Sequence, residues 1–199
     1  MASFAYQRFS TLRTAGVAKT HDPVASTAPI VEAVNSAPVT RNDLTRLYRD
    51  QYTSLVRLAS MLLDDVTQSE EVVQDAFVRM FELRNPPPFA KAPAYLRSAV
   101  LNGARSQIRK LVVRRRHQND LPGVVGAAEI DGIASVFGDV VLETVRALPR
   151  RQSEVLLLRY YLDLSEAEIA ETLGISTGSV KTHASRGLAR LGDLLEEEL

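Results

Sequence analysis

Between Glu82 and Asp120 the chain carries no acidic residue, yet the interval holds Arg84, Lys91, Arg97, Arg105, Arg109, Lys110, Arg114, Arg115 and Arg116. Cations this dense repel one another unless an anion sits opposite, and a nucleic-acid phosphate backbone is the natural partner. A solvated basic face is the bland alternative. A second candidate lies near the C-terminus, where a polar and basic segment with Lys181 and Arg186 follows a tight turn at Gly174. Such a helix is built to enter a DNA major groove. Chemistry of other kinds finds no support. There is no Ser-His-Asp set and no phosphate-binding loop, and His21, His117 and His183 lack metal-ligand spacing. The absence of cysteine excludes disulfides and thiolate metal sites, and suits a reducing cytoplasm. No enzyme activity, cofactor or metal is expected.

Local signals define the elements that must position these residues. Ser165 and Glu168 have capping-box spacing. Ile169, Ala170 and Leu173 give one apolar face, and Gly174 supplies a left-handed helix end. Ser176 or Thr177 caps a second helix whose inner face is Val180, Ala184, Leu188 and Leu191. Together these form a helix-turn-helix. Upstream, a helical block starts near Thr40, with Leu44, Leu47, Tyr48, Gln51, Tyr52, Leu55, Leu58, Ala59 and Leu62 on one face, and breaks at Asp64-Asp65. Thr67 and Glu70 predict another capping box, and the helix beyond it carries Val72, Val73, Ala76, Phe77, Met80 and Phe81 inward. Three consecutive prolines, Pro86 to Pro88, end that helix, and Pro93 fits the first turn of the next. No strand-like alternation occurs, so the fold class is all-α.

Charge and composition set the organisation. The 199 residues sum to zero net charge, with 24 basic and 24 acidic side chains, so only local charge speaks for nucleic acid. Residues 1–39, rich in Ala, Ser, Thr, Val and Pro, predict a disordered N-terminal extension. Residues 117–138 contain Asp120, Glu129 and Asp131, several glycines and no Lys or Arg, and predict a flexible acidic linker. The expected architecture is two small helical domains, 40–116 and 139–199, on a tether that sets the effective concentration of the second DNA site once the first is bound. No apolar run is long enough for membrane insertion.

Three segments resemble bacterial sigma factors. Glu71-Val72-Val73-Gln74-Asp75-Ala76-Phe77-Val78-Arg79-Met80 resembles their core-polymerase-binding helix. Pro93-Ala94-Tyr95-Leu96-Arg97-Ser98-Ala99-Val100-Leu101-Asn102-Gly103-Ala104 and the Arg-rich helix resemble their −10 element helices. Leu148-Pro149-Arg150-Arg151-Gln152 and the helix-turn-helix resemble σ4. The order, and a linker too short for an intervening σ3 domain, resemble the extracytoplasmic-function (ECF, group 4) class. That likeness implies a σ2 domain at 40–116, a σ3.2-like linker at 117–138 and a σ4 domain at 139–199. It implies that Glu71, Gln74, Asp75 and Phe77 bind the clamp of the largest RNA polymerase subunit, with σ4 meeting the β flap. It implies that Phe89, Lys91 and Asn102 serve capture of a flipped −10 base, Phe89 by stacking or else by packing. Arg105, Arg109, Arg114, Arg115 and Arg116 would hold phosphates of the melted −10 strand or of the spacer duplex. Thr177, Ser179, Lys181, Thr182, His183, Ser185 and Arg186 would meet the −35 element. The implied partners are core RNA polymerase, promoter DNA and an anti-sigma factor, in the cytoplasm. The main alternative is a LuxR-type helix-turn-helix regulator, which shares the phrase Val180-Lys181-Thr182-His183 but needs a sensory domain that the upstream helices do not resemble. An RNA-processing enzyme lacks any catalytic constellation.

Overall fold

The computed structural model describes residues 37–117 and 139–197. These are all-α, in seven helices: α1 (Arg41–Leu63), α2 (Val66–Glu82), α3 (Ala92–His117), α4 (Asp139–Ala147), α5 (Arg150–Tyr160), α6 (Glu166–Leu173) and α7 (Thr177–Glu197). A 3-10 turn, Phe89–Lys91, leads into α3. The expected disordered extension and acidic linker lie outside the described residues except at their edges. At one edge the boundary moves. Ala37 accepts a hydrogen bond from Phe89 N at 3.0 Å, and Val39 N donates to Pro87 O at 3.2 Å. Val39 is buried, so residues 37–39 belong to the folded part rather than to the tail.

Thr40 and Asp43 form a capping box at the start of α1. Its end is Asp64, held left-handed at φ 55, a conformation that Asp tolerates better than most side chains. The expected Thr67–Glu70 box is absent. Asp65 caps α2 instead, its carboxylate accepting from Gln68 N at 2.9 Å and from Gln68 Nε2 at 2.6 Å. With one aspartate closing α1 and the next opening α2, α2 begins at Val66, before Thr67 can act as a cap.

The first bundle packs α1, α2 and α3 around Leu55, Val73, Ala76, Met80, Leu96 and Val100. Gly103 permits the α2–α3 approach, since a Cβ there would lie 2.6 Å from Val72 Cγ1. Gly103→Ala is therefore expected to destabilise the fold by about 1–2 kcal/mol, overpacking outweighing the better helix propensity of Ala. Urea unfolding would measure it. The second bundle packs α4 to α7 around Val155, Leu158, Ile169, Val180 and Leu191. The two cores are not separate: Leu58, Met61 and Leu101 of the first bundle are buried within the second cluster.

Candidate nucleic-acid and protein interfaces

The helix-turn-helix is built as its local signals imply. The Ser165 hydroxyl accepts from Glu168 N at 3.3 Å while the Glu168 carboxylate accepts from Ser165 N at 2.9 Å. These hydrogen bonds hold the Glu168 carboxyl below its ordinary range, with Arg97 a smaller contributor. Gly174 takes φ 63 and closes α6. Ser176, not Thr177, caps α7 by accepting from Ser179 N at 3.1 Å. Val180, Ala184 and Leu191 are buried and Leu188 packs beside them. That rotation turns the predicted −35 contacts outward: Thr177, Lys181, Thr182, Ser185 and Arg186 are exposed, and Ser179 and His183 half-exposed. Lys181 Nζ lies 3.6 Å from Glu166 on α6. Thr182 donates its hydroxyl to Gly178 O at 2.9 Å, which orients its side chain along the helix.

The predicted −10 residues are spread along α3 and the turn before it. Lys91 is exposed and Phe89 half-buried against the first core. Arg46 covers the Phe89 ring at 5.8 Å, so packing accounts for much of that ring. Asn102 lies ten residues beyond the start of α3, about 15 Å along the axis. Asn102, Arg105 and Arg109 then share a face at i, i+3 and i+7. Asn102, Arg109 and Arg114 are exposed, whereas Arg105 is half-buried. Arg115 and Arg116 are within α3, but their side chains fall outside the described residues.

Glu71, Gln74 and Asp75 are exposed on α2. Phe77, also implied by the resemblance to bind the clamp, points inward and is 8% exposed, so it belongs to the first core rather than to that outward stripe. The inward placement expected for Tyr48 and Phe81 is corrected, since they are 42% and 54% exposed. With Leu44, Phe77 and Val78 they line an open apolar groove of about 390 Å³ between α1 and α2. Tyr48 stacks on Tyr52 at 4.5 Å and meets Phe77 edge-on at 5.1 Å. Val78, 52% exposed in this groove, is an apolar surface position that the sequence pattern did not single out. Its signal is its place at i+7 from Glu71, on the same stripe as Gln74 and Asp75.

Across the seam between the bundles, Arg105 makes a bidentate pair with Glu154 of α5, at 2.6 and 2.7 Å. Arg151 also reaches Glu154, at 3.2 Å. Arg105, Arg109, Arg146 and Arg150 border a cleft of about 230 Å³ beside this pair. Among the described residues no cluster of three metal-ligating side chains occurs, and no helix is long and apolar enough to cross a membrane.

Comparison with known proteins bears on both halves. Residues 139–191 match the family described as Sigma-70, region 4. The chain is 28% identical over 151 residues to the RNA polymerase sigma-E factor of Streptomyces avermitilis, covering 74% of this chain and 82% of that one. It is 25% identical over 170 residues to the ECF RNA polymerase sigma factor SigW of Bacillus subtilis, covering 78% and 88%. Its fold is similar to that of the sigma factor RpoE in complex with the anti-sigma factor NepR from Bartonella quintana. That likeness has a TM-score of 0.57 at 19% identity, over 78% of this chain and 98% of that one. The family match places a sigma-70 region 4 domain on the helices that include the outward-facing α7. The chain is thus similar to extracytoplasmic-function sigma factors over about three quarters of its length, which supports a sigma factor that directs transcription initiation. A LuxR-type regulator is not favoured, because the similarity runs through both bundles.

Proposed function

We propose that this sigma factor, bound to core RNA polymerase in the cytoplasm, reads promoters with two separate surfaces. The Glu71, Gln74 and Asp75 stripe grips the clamp of the largest subunit, and σ4, residues 139–199, sits at the β flap. Thr177 and Ser179, at the start of α7, hydrogen-bond −35 phosphates. Lys181 and Arg186 contact bases or phosphates, with Thr182, His183 and Ser185 between them. In σ2, residues 40–116, the loop with Phe89 and Lys91 and the Asn102 amide capture an unstacked −10 base. Arg105, Arg109, Arg114, Arg115 and Arg116 hold the strand. Unstacking costs a few kcal/mol, which these contacts offset. The acidic segment 117–138 threads a positively charged polymerase channel. The protein performs no catalysis of its own, needs no cofactor, and is a fitting target for an anti-sigma factor covering both faces.

The observation that carries this proposal is the outward set on α7. Five of the seven proposed −35 residues are exposed on the second helix of a matched sigma-70 region 4. The test is direct: purified protein added to sigma-free core polymerase should yield transcripts with defined start sites on genomic templates. No transcript, together with no core binding, sinks it. Asn102→Ala is expected to slow open-complex formation roughly tenfold or more, because a bidentate amide–base contact is worth about 1–3 kcal/mol. Permanganate reactivity of the −10 region would show this, with −35 duplex binding unchanged. Normal melting in the variant would remove Asn102 from base capture.

A further inference from the structure

Three arginines fasten the second bundle to the first. Arg105 of α3 donates Nε and Nη2 to the two Glu154 oxygens. Arg146 of α4 donates to the carbonyls of Ser60 and Met61 at 3.2 and 2.8 Å and pairs with Asp64 at 2.8 Å. Arg97 of α3 donates to the Thr172 hydroxyl of α6 at 3.2 Å. Glu154 is 1% exposed, and Arg150 and Arg151 of its own helix approach the same carboxylate at 3.8 and 3.2 Å. On the α3 side, Arg105 Nη1 donates to Asn102 Oδ1 at 2.6 Å. A carboxylate and a phosphate offer a guanidinium the same pair of oxygens.

We propose that this closed arrangement is a self-inhibited state, in which Glu154 takes at Arg105 the place of a −10 strand phosphate. Closure and −10 capture then exclude each other. The proposal rests on the −10 contacts proposed above. Its electrostatics work in both states. In the closed form one buried carboxylate balances guanidiniums from both bundles, and without it they would repel one another. In the open form Glu154 keeps Arg150 and Arg151 as partners on its own helix, and Arg105 is freed for the strand. The adjoining cleft borders Arg105 and Arg109 together, so a phosphate entering it meets both.

The chain has no cysteine, so Thr67→Cys and Ala189→Cys, both at exposed positions, would carry a dye pair alone. Single-molecule energy transfer on the full chain should show one dominant population in the free protein and a second on addition of core polymerase. Glu154→Gln should raise the second population in the free protein about tenfold and speed core association to match, since a buried pair that loses one partner is strongly destabilised. Arg146→Ala, outside the proposed DNA and polymerase contacts, should act in the same direction. It decides the matter should the Glu154 variant fail to fold. Wild-type populations and association rates in the folded variants would overturn the lock. Promoter-specific transcription by the wild type, measured in parallel, tests the underlying function separately. A transcribing wild type with unresponsive variants sinks the lock alone.

Discussion

Lys181→Ala combined with Arg186→Ala is expected to reduce −35-dependent initiation roughly 30-fold or more, because each recognition-helix contact is worth about 1–3 kcal/mol. Core binding should change less than about twofold, since neither residue lies on the α2 stripe. Stability should hardly move. Both side chains are exposed, and the Lys181–Glu166 pair is a surface one worth about 0–1 kcal/mol. Glu166 keeps Arg159 at 3.2 Å when Lys181 is gone. Salt dependence would separate the two kinds of contact. Loss of a phosphate contact lowers the slope of log affinity against log salt by about one, whereas loss of a base contact relaxes sequence preference. Run-off transcription and fluorescence binding to core polymerase would measure both sides. An equal fall in core binding would refute the assignment.

Val78→Ala with Phe81→Ala should weaken core polymerase binding by about 2–4 kcal/mol, roughly 30- to 1000-fold, because an aromatic anchor in an apolar groove behaves as an interface hot spot. Both residues are more than half exposed, so folding loses little beyond the Arg41–Phe81 contact, worth about 0.5–1 kcal/mol. Phe77→Ala would not serve, as deleting a buried Phe costs about 3–5 kcal/mol of stability. Titration of labelled protein with core polymerase gives the affinity, and thermal unfolding by circular dichroism checks the fold. Unchanged affinity in the folded double variant would exclude the groove beside the Glu71, Gln74 and Asp75 stripe from the polymerase contact.

Elements set by neighbouring residues were legible in the sequence. The Ser165–Glu168 box, the Gly174 turn and the apolar positions Val180, Ala184 and Leu191 act within a few residues, so the helix-turn-helix and its outward face follow from local chemistry. The start of α2 is ambiguous in the sequence because two capping sites compete there, and in the fold Asp65 takes Gln68 N, which leaves Thr67 inside the helix. Tyr48 and Phe81 fit a helical period, but period alone does not fix how far a helix rotates about its axis. That rotation is set by the α1–α2 packing, which leaves both rings on the rim of a groove. Glu154 is the clearest case of a non-local effect. A glutamate beside Arg150 and Arg151 reads as surface, yet it is 1% exposed and pairs with Arg105 of α3, 49 residues away. The basic stretch did announce a missing anion. Phosphate was the anion inferred, and in this arrangement a carboxylate of the same chain stands opposite Arg105.

The Arg105–Glu154 pair also bears on how promoter affinity responds to ionic strength. Counterion release counts the cations that DNA sheds when protein charges replace them. An arginine that leaves a carboxylate for a phosphate exchanges one anion for another, and the abandoned Glu154 side regains part of the ionic cloud that DNA gives up. Salt titrations of the free protein would therefore count fewer phosphates than α3 touches, while the same titration with holoenzyme, where the exchange is already complete, would count them all.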